Sequence, residues 1–180
     1  MKQLSEKRKE KFSAKRVAVL GVLLALASAM FIVESLVPPL LPMAPYVKIG
    51  LANSVVLLVI ILFGAADAFF FVLAKNLLTA LAVSFFVLPF NLAGSLCAYL
   101  AMAAMYVLLY PKVSLVSVSI AGAIVSNIAR TGVAVLLMEA PSLYIQLPFI
   151  CGLSVLAGIV IGILTTFLVK YLPERLTKLK

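Results

Sequence analysis

Six apolar runs, each closed by a proline, a glycine or a short polar turn, decide most of what this chain can fold into. They cover residues 17–37, about 49–63, 68–88, 91–110, 113–138 and 148–169, and all nine prolines fall at or beside their boundaries. Proline lacks a backbone N–H, and hydrocarbon cannot replace the lost hydrogen bond, so membrane helices favour it at their ends. A helix needs about 20 apolar residues to cross the roughly 30 Å hydrocarbon core. Most of the runs approach that length, and 49–63 is shorter. It reads either as a re-entrant or tilted element lining a cavity, or as a helix whose end lies outside the apparent run. The expected architecture is all-α: a polytopic membrane protein of about six transmembrane helices.

Composition removes the soluble alternatives. Hydrophobic residues make up 65% of the 180, charged residues 12%, and the mean hydropathy is +1.24; so apolar a chain needs lipid around it. The net charge of +9 does not point to nucleic acid, because of where the charge lies. Seven of the 15 Lys and Arg fall within residues 1–16 and four within 170–180. Basic ends around an apolar body are what the positive-inside rule expects of cytoplasmic tails. The expected division is a basic tail over 1–16, a six-span domain over 17–169 and a second basic tail over 170–180, in the cell membrane with both termini cytoplasmic. Six spans return the chain to its starting side, and the outer loops, near 38–47, 88–90 and 139–147, carry no Lys or Arg. A competing reading takes Ala27-Ser28-Ala29 as a secretory cleavage site, which would leave five spans and reverse the fit of the charges.

Charged residues inside the apolar body are candidate sites, because each is costly there unless paired or hydrated. Between residues 17 and 169 they are Glu34, Lys48, Asp67, Lys75, Lys112, Arg130 and Glu139. Asp67 and Lys112 fall at expected inner turns and read as topology markers. Glu34, Lys48, Arg130 and Glu139 are expected to converge on the outer side from four segments. Lys48 stands five residues before Asn53, with Gly50 between them. Asn127, Arg130 and Thr131 form one polar stripe at i, i+3 and i+4. A guanidinium there can grip a carboxylate or phosphate with two parallel bonds; the alternative is an internal ion pair with Glu34 or Glu139. Lys75, Asn76 and Thr79 make a second polar patch, with Lys75 either paired to Asp67 or facing a cavity.

Small residues recur at four-residue spacing at Gly21, Ala25 and Ala29, with Ala14 and Ala18 on an adjacent ladder, and again at Gly158 and Gly162. Such ladders let helices approach closely in lipid, within the protein or against a partner. Chemistry is sparse. There is no histidine, no GxxxxGK[ST] loop, and a single aspartate where magnesium-diphosphate chemistry wants clusters. Cys97 and Cys151 lack the spacing of a zinc site. No metal, cofactor or catalytic residue is expected.

The run from Glu34 through Pro38-Pro39, Pro42, Pro45-Tyr46 and Lys48-Ile49-Gly50 to Asn53 resembles the Gx transporter family, often labelled heptaprenyl diphosphate synthase component I. That family is similar to the substrate-binding S components of energy-coupling factor (ECF) transporters. The resemblance covers about residues 17–169. It implies a six-helix S-component bundle that binds a vitamin-like solute on the outer side. It also implies partners: a transmembrane coupling subunit and two cytoplasmic ATPases, met through an Ala-xxx-Ala surface that Ala25 and Ala29, or Ala14 and Ala18, would supply. The chain departs from several vitamin-binding S components in having no tryptophan; Tyr46, Phe90 and Tyr144 are the available substitutes.

The leading expectation is a non-catalytic binding subunit for a small anionic or phosphate-bearing nutrient or isoprenoid-related compound, contacted by Lys48, Asn53, Asn127 and Arg130, with Glu34 orienting the cations. The alternatives are an accessory component of polyprenyl diphosphate synthesis and a stand-alone carrier coupled to protons through Glu34 or Glu139.

Overall fold

The computed structural model describes residues 14–36 and 47–171. Most of the two basic tails and the proline-rich link 37–46, with Tyr46, lie outside the described residues. Six α-helices follow one another: α1 Ala14–Leu36, α2 Leu51–Phe63, α3 Ala65–Ala82, α4 Leu88–Leu109, α5 Leu115–Met138 and α6 Leu147–Tyr171. Short 3₁₀ turns at Phe85–Val87 and Pro141–Gln146 lead into α4 and α6. Five helical stretches are long and apolar enough to cross a membrane, and α2 is a shorter apolar one. The expected all-helical, multi-pass architecture is the architecture found.

The apolar runs misjudge two ends. Run 68–88 is not one helix: α3 stops at Ala82, and Ser84 turns the chain by accepting the Phe86 N–H at 3.2 Å. Pro89 does not end a helix but sits in the first turn of α4, where its missing N–H costs nothing.

The radial pattern suits lipid. Outward-facing residues include Phe70, Leu81, Leu108, Leu136 and Val160, whereas Asn76, Asn91, Ser95, Ser119, Asn127, Thr131 and Ser154 are buried. The centre is α2. It is apolar on every side, which marks a helix enclosed by others. All of it except Leu51 and Ile61 is buried, and it touches each of the other five helices.

Its 13 residues extend about 20 Å, some 10 Å less than the hydrocarbon thickness. Glycines in left-handed or otherwise positive-φ backbone close both ends, Gly50 at φ 87° and Gly64 at φ 94°. The second apolar run is therefore a short helix with both ends fixed by glycine, not one whose end lies outside the apparent run.

One helix grips both ends of α2. From the first turns of α1, Arg16 pairs with Asp67, lies 5.4 Å from the centre of the Phe63 ring and donates to the Phe63 carbonyl at 3.4 Å. From its last turns, Glu34 accepts the Gly50 N–H at 2.6 Å. A guanidinium at the carbonyl end and a carboxylate at the amide end both complement the helix dipole. Asp67 is thus part of an ion pair rather than a bare topology marker.

The most extensive contacts are those of α5 with α6 and with α4. The glycine ladder of α6 explains the first. A methyl group on Gly158 would stand 2.5 Å from Ile120 Cα, and one on Gly162 2.6 Å from Val116 Cα. Gly21 on α1 has nothing within 4 Å. Gly158→Ala and Gly162→Ala are each expected to cost about 1–3 kcal/mol by forcing α5 and α6 apart. Gly21→Ala should not lower stability; thermal unfolding in detergent checks the contrast.

Candidate functional site

The chain enters α2 through four non-helical residues, 47–50, and these lie well inside the bundle. The Lys48 backbone is held by Asn127, near the midpoint of α5: Lys48 N–H donates to Asn127 Oδ1 at 3.4 Å, and Asn127 Nδ2 donates to Lys48 C=O at 3.1 Å. The same amide nitrogen donates to Ser154 Oγ on α6 at 2.8 Å. Non-helical backbone survives at membrane depth only where protein satisfies its polar groups or where it lines a polar space. Asn127 does this for Lys48, and Glu34 does it for Gly50. Both ends of the Asn127 carboxamide are thereby engaged within the protein.

The Lys48 side chain turns back to α1, where its ammonium donates to Ser35 Oγ at 2.6 Å and stands 3.6 Å from the centre of the Phe31 ring. That is a cation–π geometry. From α5, the buried Arg130 runs across α4 at Gly94. A methyl group on Gly94 would meet Arg130 Nε at 2.5 Å and Cγ at 2.8 Å, so glycine is what seats the arginine there. From α3, the fully enclosed Lys75 donates to Ser95 Oγ at 3.0 Å, and Ser95 donates to Asn76 Oδ1 at 3.2 Å. Asn76 and Thr79 then return to the α3 backbone at Val72 and Asn76.

The two polar patches adjoin as one unit: Ser95, which takes the Lys75 donor, follows Gly94, against which Arg130 is seated, while Asn127, one turn before Arg130 on α5, holds the Lys48 backbone and Glu34 holds Gly50. Lys75 is not paired with Asp67, which Arg16 occupies. Arg130 makes no ion pair with Glu34 or Glu139; among the described residues Arg16–Asp67 is the only one. Glu139 does not join the cluster. It is exposed just beyond α5, in left-handed backbone at φ 51°.

The donors of this unit are not used up. Arg130 Nε and Nη1, and Asn53 Nδ2, are buried and have no hydrogen-bond partner among the described residues; Asn91 Oδ1 is in the same state. Buried polar atoms in native proteins are almost always paired, and an orphaned one marks a strained or functional position. Ser95, Asn91 and Gly94 belong to this site although neither charge nor spacing singled them out. Of the aromatic candidates, Phe90 is buried at the start of α4 and Tyr144 is half exposed. Among the described residues no three His, Cys, Asp or Glu side chains come together, and Cys97 and Cys151 are free thiols.

On α1, Ala18, Gly21, Ala25 and Ala29 all face outward, and Ala14 opens the helix. Of the long spans, α1 is the least enclosed by the rest of the protein.

The model of one protein family, described as heptaprenyl diphosphate synthase component I, matches residues 23–168. That span takes in α2 to α5 entire and every residue of the polar unit. No curated protein matches the chain.

Asn127→Leu is expected to leave the Lys48 N–H and C=O without partners and to lower stability by about 2–4 kcal/mol. Thr131→Val removes a hydroxyl that only returns to the α5 backbone at 2.9 Å, and should cost less than about 1 kcal/mol. Paired thermal melts of the detergent-solubilised protein measure both.

Proposed function

Because the chain belongs to the heptaprenyl diphosphate synthase component I family, a membrane component that works with other subunits, we propose that it is a non-catalytic solute-binding subunit. In this reading it is the S component of an ECF-type uptake transporter. It takes up a small anionic solute from the outer side of the cell membrane and relies on a coupling subunit and ATPases for energy. The basic residues of 1–16 and 170–180 support a cytoplasmic position for both termini. The polar unit then lies in the outer part of the bundle.

One observation carries the proposal: Arg130 is buried with Nε and Nη1 unpartnered, in a unit whose other charges, Lys48, Lys75 and Glu34, form no ion pair among the described residues. A purely structural arginine would have been given an acceptor. Arg130 and Asn53 contact the solute directly, Lys48 and Lys75 supply charge, and Glu34 and Asn127 shape the floor at 47–50. The outward small-residue face of α1, with Ala25 and Ala29 at its centre and Ala18 nearer its start, is the docking surface for the coupling subunit, and Ala14 opens the same helix.

The family description itself favours a second reading, an accessory membrane component that partners a heptaprenyl diphosphate synthase. Affinity purification of the full chain separates the two. Recovery of nucleotide-hydrolysing subunits, lost in Ala25→Leu/Ala29→Leu while the chain still inserts, is the expected result. Recovery of a soluble prenyl synthase whose activity depends on this chain would replace the transporter reading with the second. Uptake by the isolated chain in liposomes under a pH gradient would overturn both.

A further inference from the structure

The polar unit holds three cations, Lys48, Lys75 and Arg130, against one carboxylate, Glu34. The rest of the chain's acids are committed or distant. Of the six acidic residues, Asp67 is held by Arg16, Glu139 is exposed beyond α5, and Glu6, Glu10 and Glu174 belong to the tails outside the described residues. The sequence of the link 37–46 contains no charged residue at all. Two of the three basic side chains are left without a carboxylate counterpart, in a protein whose surroundings punish unpaired charge severely.

Hydrogen bonding tells the same story. Arg130 Nε–H and Nη1–H, and Asn53 Nδ2–H, point into protein with no acceptor among the described residues, and Lys75 spends a single donor on Ser95. The N-terminus of α2, the positive end of its dipole, opens beside Asn53. The unit therefore holds more unpartnered donors than acceptors, Asn91 Oδ1 being its one orphaned acceptor among the described residues. A carboxylate monoanion would cancel only one of the two charges. A phosphate ester carries about −1.5 to −2 at neutral pH and offers three strong acceptor oxygens. The Arg130 fork can take two of them in parallel, with its shaft seated against Gly94.

Resting on the solute-site reading above, we infer that the group bound here is a phosphate or diphosphate, an oxyanion with at least two negative charges, held jointly by Arg130, Lys75 and Lys48. The same chemistry belongs to a soluble phosphate ester and to the head of a lipid phosphate, and the tail distinguishes them.

The test uses the full chain purified in a mild detergent, with unfolding followed by a thiol-reactive dye that reports Cys97 and Cys151 as they become accessible. Inorganic phosphate, inorganic pyrophosphate, n-decyl phosphate and acetate are titrated at constant ionic strength. Phosphate-bearing probes are expected to raise the melting midpoint saturably, with half-saturation at least about tenfold below that of acetate. Arg130→Gln and Lys75→Met should each move half-saturation upward by about tenfold or more. Their unliganded melting points should not fall, because an unpaired buried charge has been removed. If either variant fails to insert, Arg130→Lys serves instead: it keeps the charge, loses the fork, and should bind phosphate more weakly than wild type.

Tighter binding of decyl phosphate than of phosphate assigns the site to a lipid phosphate, and equal binding assigns it to a soluble ester; both support the inference. Acetate acting as well as pyrophosphate would overturn it. So would the absence of any phosphate response, or a response that survives in Arg130→Gln, Lys75→Met and Arg130→Lys. With the ATPase partners still recovered, those results sink the dianion and leave the transporter reading standing. A phosphate response without such partners sinks the transporter reading alone.

Discussion

Everything in this bundle follows from the lack of hydrogen-bonding solvent around it. A polar group that the protein does not satisfy stays unsatisfied, at a cost of several kcal/mol for a bare backbone group in hydrocarbon. Helices meet that demand by themselves, but residues 47–50 cannot, because they carry the chain into the centre of the bundle without regular structure. Their survival depends on two side chains from elsewhere, the Asn127 carboxamide at Lys48 and the Glu34 carboxylate at Gly50. These contacts let α2 be short, and a short central helix leaves its amide end among the charges rather than at the membrane surface.

The unpaired donors stand out against that background. The fold supplies partners with care at Lys48 and Gly50, and along the chain Lys75–Ser95–Asn76. It leaves Arg130 and Asn53 wanting. Stability alone would favour apolar side chains in those places, since a buried charge rarely repays its desolvation. Most of the orphaned atoms are donors, on Arg130 and Asn53; Asn91 Oδ1 is an orphaned acceptor, and Ser28 Oγ on α1 a further unpartnered hydroxyl.

Much of this was legible in the sequence, and the gaps have physical causes. Apolar runs and prolines gave the helices because lipid enforces a simple length rule. The break between α3 and α4 stayed hidden because Val83, Phe85, Phe86 and Val87 are as apolar as the helices on either side, and Ser84 is too small a signal to mark a turn. Glu34 and Lys48 are expected near each other and meet at the segment 47–50, Glu34 at Gly50 and Lys48 through Asn127, one turn before Arg130 on α5. Glu139 was expected with them and is not, because backbone at φ 51° just past α5 turns it outward, a geometry that residue spacing does not encode. Lys75 could not be assigned, since Asp67 lies eight residues away on the same face of α3. Only the position of Arg16, read as part of a tail, decides where Asp67 goes. Gly94 and Ser95 pass for ordinary small residues until the neighbouring helices are in place.

The double grip of α1 on α2 has a mechanical side. Arg16 holds the carbonyl end and Glu34 the amide end, so the two helices are fastened like a bar bolted at both extremities. Glu34 ties the last turns of α1 to Gly50, two residues from Lys48. The Lys48 ammonium is itself anchored on Ser35 and Phe31 of α1. The outward flank of α1 thus belongs to the same helix that reaches the charged interior directly, at Phe31, Glu34 and Ser35.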